Sequence, residues 1–156
     1  MREPKKIMTD DVFYDEMNAG DIPAVARLEC ECFSDPWSPA SLETTLKDKN
    51  SAFLVARSDG KVVGYIGMLL VLDEGQILNV AVSADMRRRG IGRRLIQEMT
   101  ALGISRGLRF FTLEVREGNL PAICLYEGLG FRKTGRRPDY YTKPCEAAVL
   151  MDLTVS

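Results

Sequence analysis

The residues best suited to chemistry in this 156-residue chain are Arg87-Arg88-Arg89-Gly90-Ile91-Gly92-Arg93-Arg94, an arginine-and-glycine elbow between an apolar strand pattern and a helical one. A helix that starts on glycine offers unpaired backbone N–H groups and the positive end of its dipole to one point, and an anion such as phosphate suits that point. Gly90 and Gly92 remove side chains where the backbone must approach a ligand closely. Two common phosphate loops do not fit. A triphosphate P-loop ends in Gly-Lys-Ser/Thr, whereas Gly92 is followed by Arg93 and Arg94. A dinucleotide fingerprint needs a third glycine where Leu95 stands. What remains is Arg-x-x-Gly-x-Gly from Arg87, and its plain alternative is an exposed helix start that carries arginines. A second chemical feature is Glu114, an acid on an otherwise largely apolar strand pattern. The chain has no histidine, which excludes Ser-His-Asp and Cys-His hydrolases.

An elbow of this kind needs a strand before it and a helix behind it, and the flanking sequence supplies both. Gln76–Val82 is rich in β-branched and aliphatic residues, and Ile91, Leu95, Met99 and Leu102 recur at helical spacing. Further upstream, a strand is expected near Val12–Met17. A helix follows with Asp21 as N-cap, Pro23 in its first turn and the stripe Ile22, Val25, Leu28, Cys32. Asp35-Pro36-Trp37-Ser38 breaks that helix, and Ser38 caps a second one running to about Lys47. Ala52–Arg57 and Val62–Val71 read as strands joined by an Asp59-Gly60 hairpin turn. Downstream, Arg109–Val115 alternates, with Phe111, Leu113 and Val115 on one face and Phe110, Thr112 and Glu114 on the other. Asn119 caps a helix over Leu120–Leu129, which Gly130 stops. Strands near Lys133–Tyr141 and Ala147–Thr154 then pair antiparallel. The order β-α-α-β-β-β-α-β-α-β-β implies a mixed sheet covered by helices.

The length suits one domain, here 11–156, behind a polar leader at 1–10 that is expected to fray. There is no apolar run long enough for a membrane span and no signal-peptide core, so a cytoplasmic location is expected. A net charge of −1 argues against a direct nucleic-acid role, because the basic residues are local, at Arg87–Arg94 and Arg132–Arg137. The four cysteines, Cys30, Cys32, Cys124 and Cys145, match no zinc spacing and read as reduced packing residues; no metal is expected.

Several motifs stand together in order. They are Asn79-Val80-Ala81-Val82, the Arg87 to Gly92 loop, Leu113-Glu114-Val115-Arg116, Asn119, and Ala122-Ile123-Cys124-Leu125-Tyr126-Glu127-Gly128-Leu129-Gly130-Phe131. Phe33-x-x-Pro36-Trp37-Ser38 lies near the front and Arg136-Arg137-Pro138-x-Tyr140-Tyr141 near the end. Together they resemble the GNAT N-acetyltransferase superfamily, and within it the RimI-type ribosomal-protein alanine N-acetyltransferases. The resemblance covers nearly the whole chain from about Phe13. It implies an α/β (α+β mixed) fold with a central, mostly antiparallel sheet of about seven strands and helices on both faces. It implies acetyl-CoA as cosubstrate and a protein N-terminus, from a small-subunit ribosomal protein, as acceptor. Val80, Ala81 and Val82 would line the pantetheine arm. Arg88, Arg89, Gly90, Ile91, Gly92 and Arg93 would cradle the diphosphate, and Asn119 would touch the cofactor beyond the splay of the two central strands. Glu114 matches the family's general base. Tyr126 matches its general acid and also lies beside the cofactor.

The chemistry asks for such groups. A free α-amine has a pKa near 8, so a base must take a proton before the nitrogen can attack a thioester. The oxyanion that forms needs N–H donors, and the departing thiolate needs a proton. No covalent acyl-enzyme is required. Each residue also has a plainer reading. Glu114 could be a structural carboxylate paired with Arg116 or a lysine, Tyr126 a core residue and Asn119 only a cap. Trp37 could be a packing anchor or a substrate contact. Tyr140 and Tyr141 could bind the acceptor backbone or simply decorate an edge strand. The rival functions are acetylation of a lysine side chain or a small amine, and a non-catalytic acyl-CoA-binding module.

Overall fold

The computed structural model describes residues 11–156. The leader expected at 1–10 lies outside the described residues. Among the described residues seven strands form one sheet. In chain order the elements are β1 (Phe13–Glu16), α1 (Ile22–Cys32), α2 (Pro39–Leu46), β2 (Ser51–Ser58), β3 (Lys61–Val71), β4 (Glu74–Val82), α3 (Ile91–Ser105), β5 (Phe110–Arg116), α4 (Leu120–Gly128), β6 (Arg132–Tyr141) and β7 (Glu146–Thr154). Short 3₁₀ turns at Ala19–Asp21 and Ala84–Met86 were not foreseen. The strand order is β1-β2-β3-β4-β5-β7-β6, and every pairing is antiparallel except β4 with β5. Among the described residues no helix is long and apolar enough to cross a membrane.

Both faces of the sheet are covered, which is why β2 reads as a nearly continuous apolar run. Its Ala52, Leu54 and Ala56 pack with Ile91, Leu95, Ile96 and Met99 of α3, while Phe53 and Val55 pack with Val25, Leu28 and Leu42 of α1 and α2. The Asp59-Gly60 turn has both residues at positive φ, 53° and 77°, as expected for a tight hairpin.

One expectation needs correction. Asp21 precedes α1 but its carboxylate does not cap it. Asn18 caps the preceding 3₁₀ turn, and its own N–H donates to Asp21 Oδ2 at 3.0 Å. Arg57, on β2, donates to both Asp21 oxygens at 2.8 Å. A bidentate guanidinium outcompetes a lone capping bond because it is charge-assisted. Arg57 holds the Asp21 carboxyl below its ordinary range, and the Asn18 N–H adds to this against the opposing effect of burial. A depressed folded-state value means that this stabilisation is full above about pH 4 and is lost as pH falls further. Asp21→Asn is therefore expected to lower stability at neutral pH by about 1–3 kcal/mol. The melting-temperature gap to wild type should close as pH is taken from about 5 to below 3; a gap that stays constant would mean the pair contributes nothing through its charge.

The cysteines also differ from expectation. Cys30, Cys124 and Cys145 are exposed free thiols, and only Cys32 is partly buried. Helix positions that look like filler in sequence lie on the solvent side because α1 and α4 each bury only one stripe.

Candidate active site

The parallel pairing of β4 with β5 is short. It joins Glu74 to Phe110, Gly75 to Phe111 and Gln76 to Thr112, and no later residue of β4 pairs with β5. Beyond Gln76 the two strands part, leaving the β5-facing edge of β4 without a ladder partner. Buried main-chain groups require partners, so this edge is suited to a ligand that runs between the strands.

A bulge sets what β4 presents there. Ile66 of β3 stands opposite Val80 but Met68 stands opposite Ile77, so Leu78 and Asn79 together face Gly67. The extra residue reverses the alternation. Ile77 packs on the α3 side, and so do Val80 and Val82, whereas Ala81 joins the α1 side. The Val82 carbonyl already accepts from Arg87 Nε at 3.2 Å and from the Cys32 thiol at 3.5 Å. A pantetheine amide would therefore use other main-chain groups of this edge.

The elbow has the geometry expected of an anion site. Arg88 and Gly90 adopt the left-handed conformation, at φ 67° and 77°. Gly90 is the N-cap of α3 and supplies no side chain to it. The first bond of the helix is Arg94 N–H to the Gly90 carbonyl, at 3.0 Å. The N–H groups of Ile91, Gly92 and Arg93 thus open the 15-residue helix with no side-chain cap. A Cβ on Gly92 would meet Leu125 and Val82 only at ordinary contact distances of 3.7 and 3.8 Å. The packing of the protein itself does not require a glycine at that position. Together the open elbow and the unpaired edge of β4 fit a diphosphate joined to an extended arm.

Glu114 lies just past the splay, on the face of β5 opposite Leu113 and Val115, which are core residues beside α3. Its side chain keeps 32% exposure. It does not pair with Arg116, one of the partners considered from sequence. Glu114 Oε1 instead accepts from the Tyr140 hydroxyl at 2.9 Å, and Oε2 lies 3.6 Å from Arg137 Nε. Burial and this bond to Glu114 raise the Tyr140 pKa. Arg116 reaches elsewhere, to the carbonyls of Thr142 and Pro144 at 2.9 and 3.0 Å, to Glu146 at 3.1 Å and to the Ser34 hydroxyl at 3.3 Å. Its guanidinium also covers the Tyr141 ring at 4.5 Å. One arginine on the strand of Glu114 thus ties the β6–β7 hairpin to the α1–α2 loop.

Tyr126, on α4, packs against Phe131 with ring centroids 5.9 Å apart. Desolvation pushes its hydroxyl up to about 12, and no hydrogen bond to a described residue offsets it. Asn119 accepts from Ala122 N–H at 3.3 Å as the cap of α4, which leaves its amide nitrogen available to a ligand. The structure therefore sets the free edge of β4, which leads into the elbow, on one side of the splay, and Glu114 on β5 with Tyr140 bonded to it on the other. Trp37 is partly buried against the α1-side core, and its backbone N–H donates to Glu29.

Glu29 is the residue that the sequence reading missed. It is fully buried. The signal was present, since Glu29 follows Val25 by four and precedes Cys32 by three on the apolar stripe of α1.

Residues 22–131 match the sequence model of the acetyltransferase (GNAT) family. The chain is 34% identical to the [ribosomal protein bS18]-alanine N-acetyltransferase of Escherichia coli (strain K12) over 138 residues, which cover 87% of this chain and 93% of that protein. It is 34% identical to the N-alpha-acetyltransferase RimI of Mycobacterium tuberculosis over 139 residues, covering 85% and 86%. The crystal structure of the Escherichia coli ribosomal-protein-S18-alanine N-acetyltransferase superposes with a TM-score of 0.87 at 31% identity, covering 94% of this chain and 95% of that one.

Proposed function

The chain belongs to the acetyltransferase (GNAT) family and is an acetyl-CoA-dependent N-acetyltransferase; we propose that its acceptor is the N-terminal alanine of a small-subunit ribosomal protein. One observation carries this reading. The similarity to the Escherichia coli enzyme spans 87% of the chain, which is more than the residues preceding β6, so it extends past the cofactor elements into the hairpin that borders the acceptor.

Acetyl-CoA supplies an activated acyl group in this reading, and the protein supplies position and proton transfer. The elbow of 88–93 and the free edge of β4 hold the cosubstrate, with Asn119 beside it. N–H groups along that edge face the oxyanion. Glu114 accepts a proton from the acceptor's ammonium, directly or through a water, and the neutral nitrogen attacks the carbonyl carbon. The C–S bond then breaks, Tyr126 gives its proton to the leaving sulfur, and the second proton shed by the acylated nitrogen restores the phenol. A hydroxyl held near 12 stays protonated across the physiological range, as a donor must. Tyr140 and Tyr141 border the acceptor, and Tyr140 also orients the base. Both reactants occupy one cleft, so proximity supplies much of the acceleration.

An acetyl-CoA-dependent assay over peptides differing in their first residue, with free lysine and polyamines alongside, tests the acceptor. An Ala-initiated ribosomal peptide is expected to give the highest kcat/KM. Preference for lysine or a polyamine would replace this acceptor with a side-chain or small-molecule one, and cofactor binding without turnover on any amine would leave a binding module.

A further inference from the structure

Glu29 is a carboxylate with no exposed surface, and its hydrogen-bond donors come from three separate segments. Oε1 accepts from the backbone N–H of Trp37, in the α1–α2 loop, at 2.8 Å. Oε2 accepts from the Tyr65 hydroxyl of β3 at 2.5 Å and from Asn79 Nδ2 of β4 at 2.8 Å. Its partner Tyr65 belongs to the apolar cluster of Val25, Leu28, Phe53 and Val55. A leucine or methionine would fill such a position without the desolvation cost of a carboxylate. What an apolar residue would not do is fix three segments in one register.

Those segments meet at the proposed reaction. Asn79 is half of the β4 bulge and adjoins Val80, on the strand edge that faces the splay. The loop at 33–38 reaches the strand of Glu114 through Ser34 and Arg116. We propose that Glu29 is a positioning residue for acetyl transfer, fixing the acceptor-side loop against the acyl-side edge of β4 so that amine and thioester meet at the right separation. The inference rests on the acetyl-transfer reading but not on the identity of the acceptor.

Glu29→Gln removes one acceptor oxygen and turns an amide toward Asn79. It is expected to lower kcat/KM for the acceptor tenfold or more, with the acceptor KM raised and the KM for acetyl-CoA within about twofold of wild type. Adding Asn79→Asp restores the set of bonds with reversed polarity. The introduced amide on α1 then donates to the introduced carboxylate on β4 and to the Tyr65 oxygen, while its carbonyl still accepts from Trp37. This double variant should recover to within about threefold of wild type. If Glu29→Gln does not fold at the assay temperature, Asn79→Ala breaks the same link from β4 and carries the same expectation. Wild-type acceptor kinetics in the folded single variant would overturn the proposal. So would equal losses for acceptor and cofactor, or a double variant that melts like wild type yet stays slow. The kinetics are read on whichever amine wild type accepts, so failure of the ribosomal acceptor alone leaves this test intact.

Discussion

Glu114→Gln is expected to lower turnover by about 10²- to 10⁴-fold while leaving acetyl-CoA binding intact. The substitution keeps the side-chain shape and can still accept from the Tyr140 hydroxyl, which is 2.9 Å away in the native protein. The backbone at this position is held by β7, where Glu114 pairs with Leu150, so the strand should not move. Only the proton acceptor is lost. The pH dependence should change with it. The α-amine of a peptide has a pKa near 8, and a variant without a base must wait for the nitrogen to lose its own proton. Its rate should therefore climb by about tenfold more than the wild-type rate between pH 7 and 9. Tyr126→Phe is expected to slow turnover by about tenfold or more for the complementary reason, since the ring keeps its place against Phe131 and only the donor goes. Wild-type rates in both variants, with cofactor bound, would remove both roles.

Gly92→Asp is expected to separate stability from cofactor binding, with opposite signs. Space exists for a side chain in the protein alone, since a Cβ meets its nearest neighbours at 3.7 and 3.8 Å. Glycine inside a helix is less favourable than most residues by about 0.5–1 kcal/mol, and an acid in the first turn gains from the helix dipole. The apo variant should therefore melt at or above the wild-type temperature. The same carboxylate would sit among the N–H groups proposed to hold the diphosphate, where two negative charges about 4 Å apart repel by several kcal/mol at a protein surface. Acetyl-CoA affinity should fall by about a hundredfold or more. Gly92→Ala should show a weaker form of the same split. A variant destabilised in proportion to its loss of binding would instead place Gly92 in the packing and remove it from the cradle.

The parts of this protein that were legible in the sequence are those decided locally. The helix start at Ile91 behind Gly90, the Ser38 and Asn119 caps, the Asp59-Gly60 hairpin and the stop at Gly130 each depend on residues within a turn or two, and each is found. The family motifs likewise stand in the order in which the elbow, strand and helix occur. What was not legible depends on partners distant in the chain. The bulge at Leu78–Asn79 arises from register against β3 and cannot be read from β4 alone. Asp21 fits the local pattern of a cap, but Arg57 claims it from 36 residues away. Tyr140 reaches Glu114 across 26 residues, and nothing in either segment announces the bond. Glu29 is the instructive case: its spacing places it on the buried stripe, yet the carboxylate needs Tyr65 and Asn79 to be tolerated there, and both come from strands laid down later.

The central claim is that open amides at the start of α3 grip a coenzyme's diphosphate and so hold its thioester beside Glu114. A crystal structure with a conjugate of coenzyme A and an Ala-initiated peptide tests it most directly. The account predicts diphosphate oxygens about 3 Å from the N–H groups of residues 91 to 93, the arm along the free edge of β4, and the peptide nitrogen within direct or single-water reach of Glu114. A diphosphate bound away from the elbow, or an elbow whose amides are filled by the protein's own side chains, would contradict it.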